Sequence, residues 1–233
     1  MKYKYPSLIL YAIASVITII STILEYDWLT FFVKPIIVPA IFYYYLQRND
    51  LKIEGLFFLG ILSSYASDVI VLLNFENHQV IITLLNMFTY VVMLYYVLHD
   101  FSVKKIGLQK VIYFVGNLLS FLVVVYIMLT LMSDMTRVSL GIYILYGVII
   151  SVLASFAIIN HISTHNLKTF YALIMCICFV TTDIFYIVYN FYVGMHVFLL
   201  LNLAAQFVSY FYMIHYMTTA NPNDIRNDII RDK

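Results

Sequence analysis

Eight apolar runs dominate the sequence, each about 20 residues long and separated from the next by a short polar connection. The hydrocarbon core of a bilayer is about 30 Å thick, and a helix of about 20 apolar residues crosses it. Lipid offers no hydrogen-bond partners to an open backbone, and the runs are too long for barrel strands, so they are predicted to be helices. The predicted spans are 6–24, 28–47, 55–73, 78–98, 111–132, 139–159, 169–189 and 194–217.

The composition supports one domain embedded in a bilayer. Of the 233 residues, 64% are hydrophobic and only 11% are charged, whereas a soluble domain carries about 25% charged residues. No linker or low-complexity tract interrupts the spans. The predicted fold class is therefore all-α, a polytopic bundle of eight transmembrane helices in a single domain over residues 1–220, followed by a polar tail over 221–233.

The basic residues predict the orientation of the chain. Of the 13 Lys and Arg residues, Lys34 lies inside the second span, and only Arg137 lies in a loop on the side of the membrane opposite the N-terminus. An excess of basic residues marks the cytoplasmic side, so both termini and the tail are expected there, with the bacterial inner membrane as the expected location. The basic residues on the N-terminal side are Lys2, Lys4, Arg48, Lys52, Lys104, Lys105, Lys110, Lys168, Arg226, Arg231 and Lys233.

Three charged residues fall inside the spans, namely Lys34, Asp68 and Asp183. A charge at the centre of a bilayer costs about 2.5–3.5 kcal/mol on insertion scales, so such residues usually face the bundle interior and find partners. Counted from the outer ends of their spans at 1.5 Å per residue, all three lie roughly 8–9 Å below the outer surface. One shared depth predicts a single polar site in the outer half of the bundle.

Polar residues also recur at helical spacing in five of the spans, namely spans three, four, five, seven and eight. Hydrogen bonding between helices, at about 0.6 kcal/mol per contact, is the alternative explanation for each stripe, and a structural ion-pair network is the alternative for the charged residues. An acid followed by an amide stripe occurs in spans three and four and again in spans seven and eight, which predicts two parallel four-helix repeats. The candidates for substrate binding or positioning are Lys34, Ser64, Asn86, Tyr90, Tyr186, Asn202 and Gln206.

Four short motifs carry a resemblance to a known family. They are Lys34-Pro35 in "FVKPIIVPAIFYYYL", Ser67-Asp68 in "SYASDVIVLL", Thr182-Asp183 in "FVTTDIFYIV" and Ala205-Gln206 in "LNLAAQFVSYFY". In their order and spacing the chain resembles the YhhN-like lysoplasmalogenase family of eight-span membrane proteins. The resemblance implies hydrolysis of the vinyl ether of lysoplasmalogens to a fatty aldehyde and glycerophospho-ethanolamine or -choline, with Asp68 and Asp183 as the catalytic acids.

The chain departs from the family pattern at two places. Ser67 precedes the first acid where the family usually has Gly, and Thr89 and Tyr90 stand near the place where the family usually has a His in the fourth span. These departures leave open a second interpretation, in which the chain is a catalytically divergent lipid-binding relative of the same fold. A small proton-coupled transporter is a third, because intramembrane acids also relay protons.

Vinyl-ether hydrolysis sets clear requirements for the two acids. It begins with proton delivery to the vinyl carbon distal to the oxygen, which needs a protonated carboxylic acid and an anion that stabilises the resulting cation. Of Asp68 and Asp183, the acid nearer Lys34 is expected to be the ionised one, and the sequence does not identify which that is. Lys34 could alternatively bind the phosphate of the lipid.

The remaining expectations concern cofactors and partners. No motif in the sequence suggests a cofactor, a metal site or nucleic-acid binding, so none is predicted. The expected partners are a lysophospholipid or other ether lipid and the membrane itself. The sequence carries no signal for the oligomeric state or the headgroup preference.

Overall fold

The computed structural model describes residues 5–73, 78–101, 107–132 and 137–219, and over these ranges the chain is all-helical. Each of the eight helices is long and apolar enough to cross a membrane, which confirms the predicted number of spans. The predicted tail, 221–233, lies outside the described residues. The helices are α1 (Pro6–Ile23), α2 (Asp27–Arg48), α3 (Gly55–Leu73), α4 (His78–His99), α5 (Leu108–Leu131), α6 (Arg137–Thr164), α7 (Leu167–Val188) and α8 (His196–Thr218).

Most helix boundaries lie within three residues of the predicted spans, and two differ by more. The α6 helix continues five residues beyond the predicted end at 159, through the mostly polar residues 160–164. The α7 helix continues as a π-helical turn, Tyr189–Val193, beyond the predicted end at 189. This turn stops at Gly194, whose φ of 48° is left-handed and suits glycine. Its N–H donates to the carbonyl of Tyr189 at 3.1 Å.

Neighbouring helices pack along the chain, and a few contacts join its two halves. The pairs α1/α2, α3/α4, α5/α6, α6/α7 and α7/α8 lie side by side. Between the halves, α8 packs against α1 and α2, and α4 packs against α6. The α5 helix is peripheral, since it contacts α6 and to a smaller extent α7 and has no buried residue.

The tightly packed core lies at one end of the bundle along the helix axes, the end at which α1 begins. We call this end the near half. Large side chains that are almost fully buried come from the late turns of α2, α4 and α8 and the early turns of α3 and α7, among them Tyr45, Val97, Tyr216, Phe57 and Met175. Because successive helices alternate in direction, all of these positions lie at one end. The opposite half, the far half, holds the ends at which α1 finishes and α2 begins.

A charged cluster closes the near end of the core. Lys168, in the first turn of α7, forms an ion pair with Asp100, with 2.8 Å between Nζ and Oδ2. Tyr216 of α8 donates to the same Oδ2 at 2.7 Å. The cluster therefore ties α7 and α8 to the residue that follows α4.

We expect Gly147→Ala to loosen the contact between α5 and α6. A Cβ at Gly147 would lie 2.4 Å from Cγ1 of Val125, and overpacking of this kind costs about 1–3 kcal/mol. Gly116→Ala is the matched control, because a Cβ there meets nothing within 4 Å. Thermal unfolding in detergent should show a lower Tm for Gly147→Ala than for the control, with recovery in the Gly147→Ala/Val125→Ala double variant. Equal Tm values for the two single variants would contradict the close approach.

Candidate functional site

One cavity in the far half of the bundle brings the three intramembrane charges together. It has a volume of about 240 Å³, and Lys34, Asp68 and Asp183 all line it. The polar side chains that line it come from α2, α3, α4, α6, α7 and α8. They are Lys34, Ser67, Asp68, Thr83, Asn86, Tyr143, Tyr146, Thr182, Asp183, Tyr186, Tyr189, Asn190, Asn202 and Gln206.

Lys34 enters the cavity from a part of α2 that two prolines weaken. Pro35 and Pro39 both lie inside the helix, and neither has an N–H to donate to the carbonyl one turn earlier. Membrane helices tolerate such prolines where neighbouring helices supply other partners. Lys34 is only 7% exposed, so its ammonium group depends on partners inside the bundle.

Asp68 is buried. It accepts hydrogen bonds from α8 and forms an ion pair with Lys34 on α2. Gln206 Nε2 donates to Oδ1 at 2.7 Å, and the Tyr210 hydroxyl donates to Oδ2 at 2.8 Å, both from α8. Lys34 Nζ lies 3.7 Å from Oδ1. The Asp68 carboxylate is therefore balanced by a cation and held by two further donors.

Asp183 has partners of a different kind. The Tyr90 hydroxyl of α4 lies 3.2 Å from Oδ1 and 3.1 Å from Oδ2, and the Tyr146 hydroxyl of α6 lies 2.7 Å from Oδ1. The rings of Tyr90 and Tyr146 also contact each other, with centroids 5.3 Å apart. In the described part of the chain, the contacts of Asp183 with other side chains are with neutral hydroxyl groups, and no ion pair involves it.

The two acids are held in a crossed arrangement. Asp68 of α3 bonds to Tyr210 of α8, and Asp183 of α7 bonds to Tyr90 of α4. Each tyrosine follows a cavity-lining amide, Gln206 or Asn86, by one helical turn. Each acid therefore takes its tyrosine from the opposite half of the chain, which places the site at the junction of the halves.

Four of the other predicted site residues line the cavity, and Tyr90 lies just outside its lining. Asn86, Tyr186, Asn202 and Gln206 line the cavity, and the Asn202 amide also donates to the carbonyl of Thr182 at 2.8 Å. Tyr90 reaches the cavity only through its bond to Asp183.

Ser64, predicted to bind or position substrate, does not line the cavity. Its hydroxyl lies 3.0 Å from the hydroxyl of Thr89, so it joins α3 to α4. Ser64 lies one turn of α3 before Asp68 and therefore farther from the far half. At this position its side chain lies in the contact between α3 and α4. We therefore assign Ser64 to helix packing.

Several polar residues of the site were not predicted as site residues, among them Tyr146, Tyr210 and Thr182. Tyr146 contacts Asp183, Tyr210 contacts Asp68, and Thr182 lines the cavity with a hydroxyl that has no hydrogen-bond partner among the described residues. The spacing of four residues from Gln206 was a signal that could have identified Tyr210. Tyr146 had no such signal, because Ile142 and Ile150 stand one helical turn before and after it.

The described residues offer no cluster with the composition of a metal site. Within the described ranges, no group of three or more His, Cys, Asp or Glu residues is placed to hold an ion. The acids of the cavity are instead held by lysine, amide and tyrosine groups.

The architecture has the character of a multi-pass membrane protein, with a polar cavity at one end of an eight-helix bundle. The chain matches no protein-family model, no curated protein and no solved structure. The resemblance to YhhN-like lysoplasmalogenases therefore rests on the four motifs quoted above. All four contribute a residue to the cavity, through Lys34, Asp68, Asp183 and Gln206.

We expect Lys34→Met to destabilise the protein, because it leaves the buried Asp68 carboxylate without its cation. Removal of one partner of a buried ion pair costs about 3–5 kcal/mol, whereas removal of both is much milder. The double variant Lys34→Met/Asp68→Asn should therefore have a higher Tm than Lys34→Met alone. Thermal unfolding in detergent measures the difference. A double variant as unstable as the sum of the two single variants would show that the pair is not coupled.

Proposed function

We propose that the chain is a membrane-embedded hydrolase that cleaves the vinyl ether bond of lysoplasmalogens. The observation that carries this proposal is the difference between the two acids of one cavity. Asp68 has a cation and two donors, whereas Asp183 has two tyrosine hydroxyls. The reaction requires one ionised carboxylate and one protonated carboxylic acid, and environments that differ in this way are how enzymes separate such roles.

We assign Asp183 as the proton donor. Without a cation, a carboxylate in an apolar bundle is costly to maintain, so the neutral acid is favoured there. Asp183 protonates the vinyl carbon distal to the ether oxygen, which leaves an oxocarbenium ion on the substrate and a carboxylate at Asp183. The nearby ionised Asp68 stabilises that cation.

The same two residues complete the hydrolysis. Water attacks the oxocarbenium carbon and gives a proton to Asp68, which forms a hemiacetal. The hemiacetal hydroxyl then loses its proton to Asp183, and Asp68 protonates the departing glycerol oxygen. The products are a fatty aldehyde and the glycerophospho-alcohol, and both acids return to their starting protonation states.

Lys34 has a defined part in this scheme. Its ammonium group lies 3.7 Å from the Asp68 carboxylate, so its first role is to keep that carboxylate ionised. The alternative, in which Lys34 binds the lipid phosphate, would remove the cation that Asp68 needs. Asn86, Asn202 and Gln206 then supply the neutral polar groups that orient the glycerol part of the substrate.

The orientation we propose follows the basic residues of the sequence. Both termini are cytoplasmic, and the cavity opens in the outer half of the bilayer, in a bacterial inner membrane. There it meets the linkage region of a lipid just beneath the headgroups. The crossed tyrosine contacts support the proposed pair of parallel four-helix repeats, since α3 and α7 play equivalent parts, as do α4 and α8.

A lipid-binding protein without catalysis is the second candidate. The observation that favours it is Tyr90, which contacts Asp183 from the place where the resembled family usually has histidine. A transporter has less support, because the described helices pack closely in the near half, where Tyr45 and Tyr216 are at most 1% exposed.

We expect Asp68→Asn and Asp183→Asn each to reduce aldehyde release from a lysoplasmalogen by at least about 100-fold, the lower range for loss of a general acid or base. Asp27→Asn is the matched control, since Asp27 is exposed and lies outside the cavity. Purified proteins are incubated with a 1-alkenyl lysophospholipid and, separately, with its saturated ether analogue. Aldehyde should form only from the vinyl ether.

Three results would count against this assignment. Full activity in both cavity variants would show that these acids do not perform the reaction. Binding of both lipids without aldehyde in the unaltered protein would favour the lipid-binding alternative. Proton-coupled solute flux into liposomes would favour the transporter.

A further inference from the structure

A narrow apolar groove between α5, α6 and α7 adjoins the polar cavity. Its volume is about 60 Å³, against about 240 Å³ for the polar cavity. Four residues line both spaces, namely Tyr143, Tyr146, Asp183 and Ile187. The carboxyl group that we assign as the proton donor therefore lies at the boundary between a polar chamber and an apolar one.

The α5 side of the groove is an unfilled helix face. Its residues recur at the spacing of one face of a helix, yet α5 itself has no buried residue. Every other spanning helix buries part of its surface. The residues of this face are Phe121, Val124, Val125, Met128 and Leu129, and the buried Met132 lines the groove just beyond the end of α5.

The wall opposite α5 is also apolar. Val180 and Ile184 of α7 line it, one on each side of the turn that carries Asp183. At Gly147 of α6 the groove is narrow, because α5 and α6 approach closely there. A Cβ at Gly147 would lie 2.4 Å from Val125. Apart from the carboxyl and hydroxyl groups shared with the polar cavity, the lining offers nothing that a polar ligand could bind.

We propose that this groove binds the single hydrocarbon chain of an amphiphile whose polar part occupies the cavity. The occupant follows from the shared lining of the two spaces, because a ligand that fills both must be polar at one end and apolar at the other. The small volume favours one chain over two. The bond next to Asp183 is then the bond that joins the chain to the polar part, which is where a vinyl ether lies in a lysoplasmalogen.

A second apolar groove gives a useful contrast. It lies between α1 and α2, with Pro6, Leu10 and Pro39 in its lining, and it shares no residue with the polar cavity. A chain bound there would have no defined relation to either acid. The groove between α5 and α7 is therefore the chain site that the cavity requires.

Photo-crosslinking tests the site without requiring catalysis. The probe is a saturated 1-alkyl lysophospholipid with a diazirine at the end of its chain, bound to the full-length protein in detergent. Adducts identified by mass spectrometry should fall on the groove residues of α5, α6 and α7. Val124→Trp, which fills the groove, should lower the yield of these adducts at least about tenfold, the scale on which apolar pockets discriminate by size.

The matched control is Val123→Trp, which adds the same side chain to α5 at a position 57% exposed on the outer face. It should leave the adduct yield unchanged. Adducts in the groove between α1 and α2, adducts scattered over the outer surface, or an unchanged yield in Val124→Trp would overturn the proposal.

A second variant acts from another helix and reports on turnover. Val180→Phe should lower kcat/KM for a long-chain lysoplasmalogen at least about tenfold, and it should leave a short-chain substrate unaffected. Equal losses for both chain lengths would contradict the chain site. The inference rests on the proposed function only for the position of the bond. Adducts in the groove without any aldehyde would therefore refute the hydrolase and retain the chain site.

Discussion

The buried carboxylate of Asp68 sets the main requirement that the far half of the bundle must meet. A charge taken out of water is tolerated only where a counter-charge and hydrogen-bond donors surround it. Here the counter-charge comes from Lys34 on α2, and the donors come from Gln206 and Tyr210 on α8. One side chain on α3 thus depends on two other helices, one of which belongs to the opposite half of the chain.

The same constraint explains why side chains fill the near half of the bundle and surround a cavity in the far half. In the near half, apolar side chains such as Leu153 and Met213 fill the space between helices almost completely. In the far half, carboxyl, amide and hydroxyl groups occupy the equivalent positions. These groups bond to one another around a space and do not fill it. The cavity therefore lies in the far half of the bundle, where these groups surround an unfilled space.

The difference between the two acids comes from their remaining partners, one of which is Gln206, whose amide donates to Asp68. Each acid has a tyrosine from the fourth helix of the opposite half, and each has a second partner from α2 or α6. That second partner is Lys34 for Asp68 and Tyr146 for Asp183. A cation on one side and a phenol on the other give two chemically distinct carboxyl groups within one cavity, as acid and base catalysis requires.

The sequence predicted the helices and the level of the site well, for physical reasons. Span length and apolarity are local properties, and a charge inside an apolar run is conspicuous wherever it occurs. The depth argument for Lys34, Asp68 and Asp183 needed only the alternating direction of the spans.

The sequence was less informative about partners and side-chain direction. The structure places Ser64 against Thr89 of α4 and not in the lining of the cavity. Helical spacing from Asp68 did not reveal which neighbouring helix faces each residue. Tyr146 was missed because a tyrosine inside an apolar span is equally typical of helix packing. The assignment of Lys34 to Asp68 required the packing of α2 against α3 and α8, which is a property of the whole bundle.

The protonation state of Asp183 tests the central claim most directly. Infrared difference spectra of the protein at neutral pH, recorded for the unaltered chain and for single Asp→Asn variants, reveal the C=O stretch of a protonated carboxyl group. The account predicts such a band in the unaltered protein, its loss in Asp183→Asn and its retention in Asp68→Asn. A band that is absent at neutral pH, or one that disappears in Asp68→Asn and survives in Asp183→Asn, would contradict the assignment of the two acids.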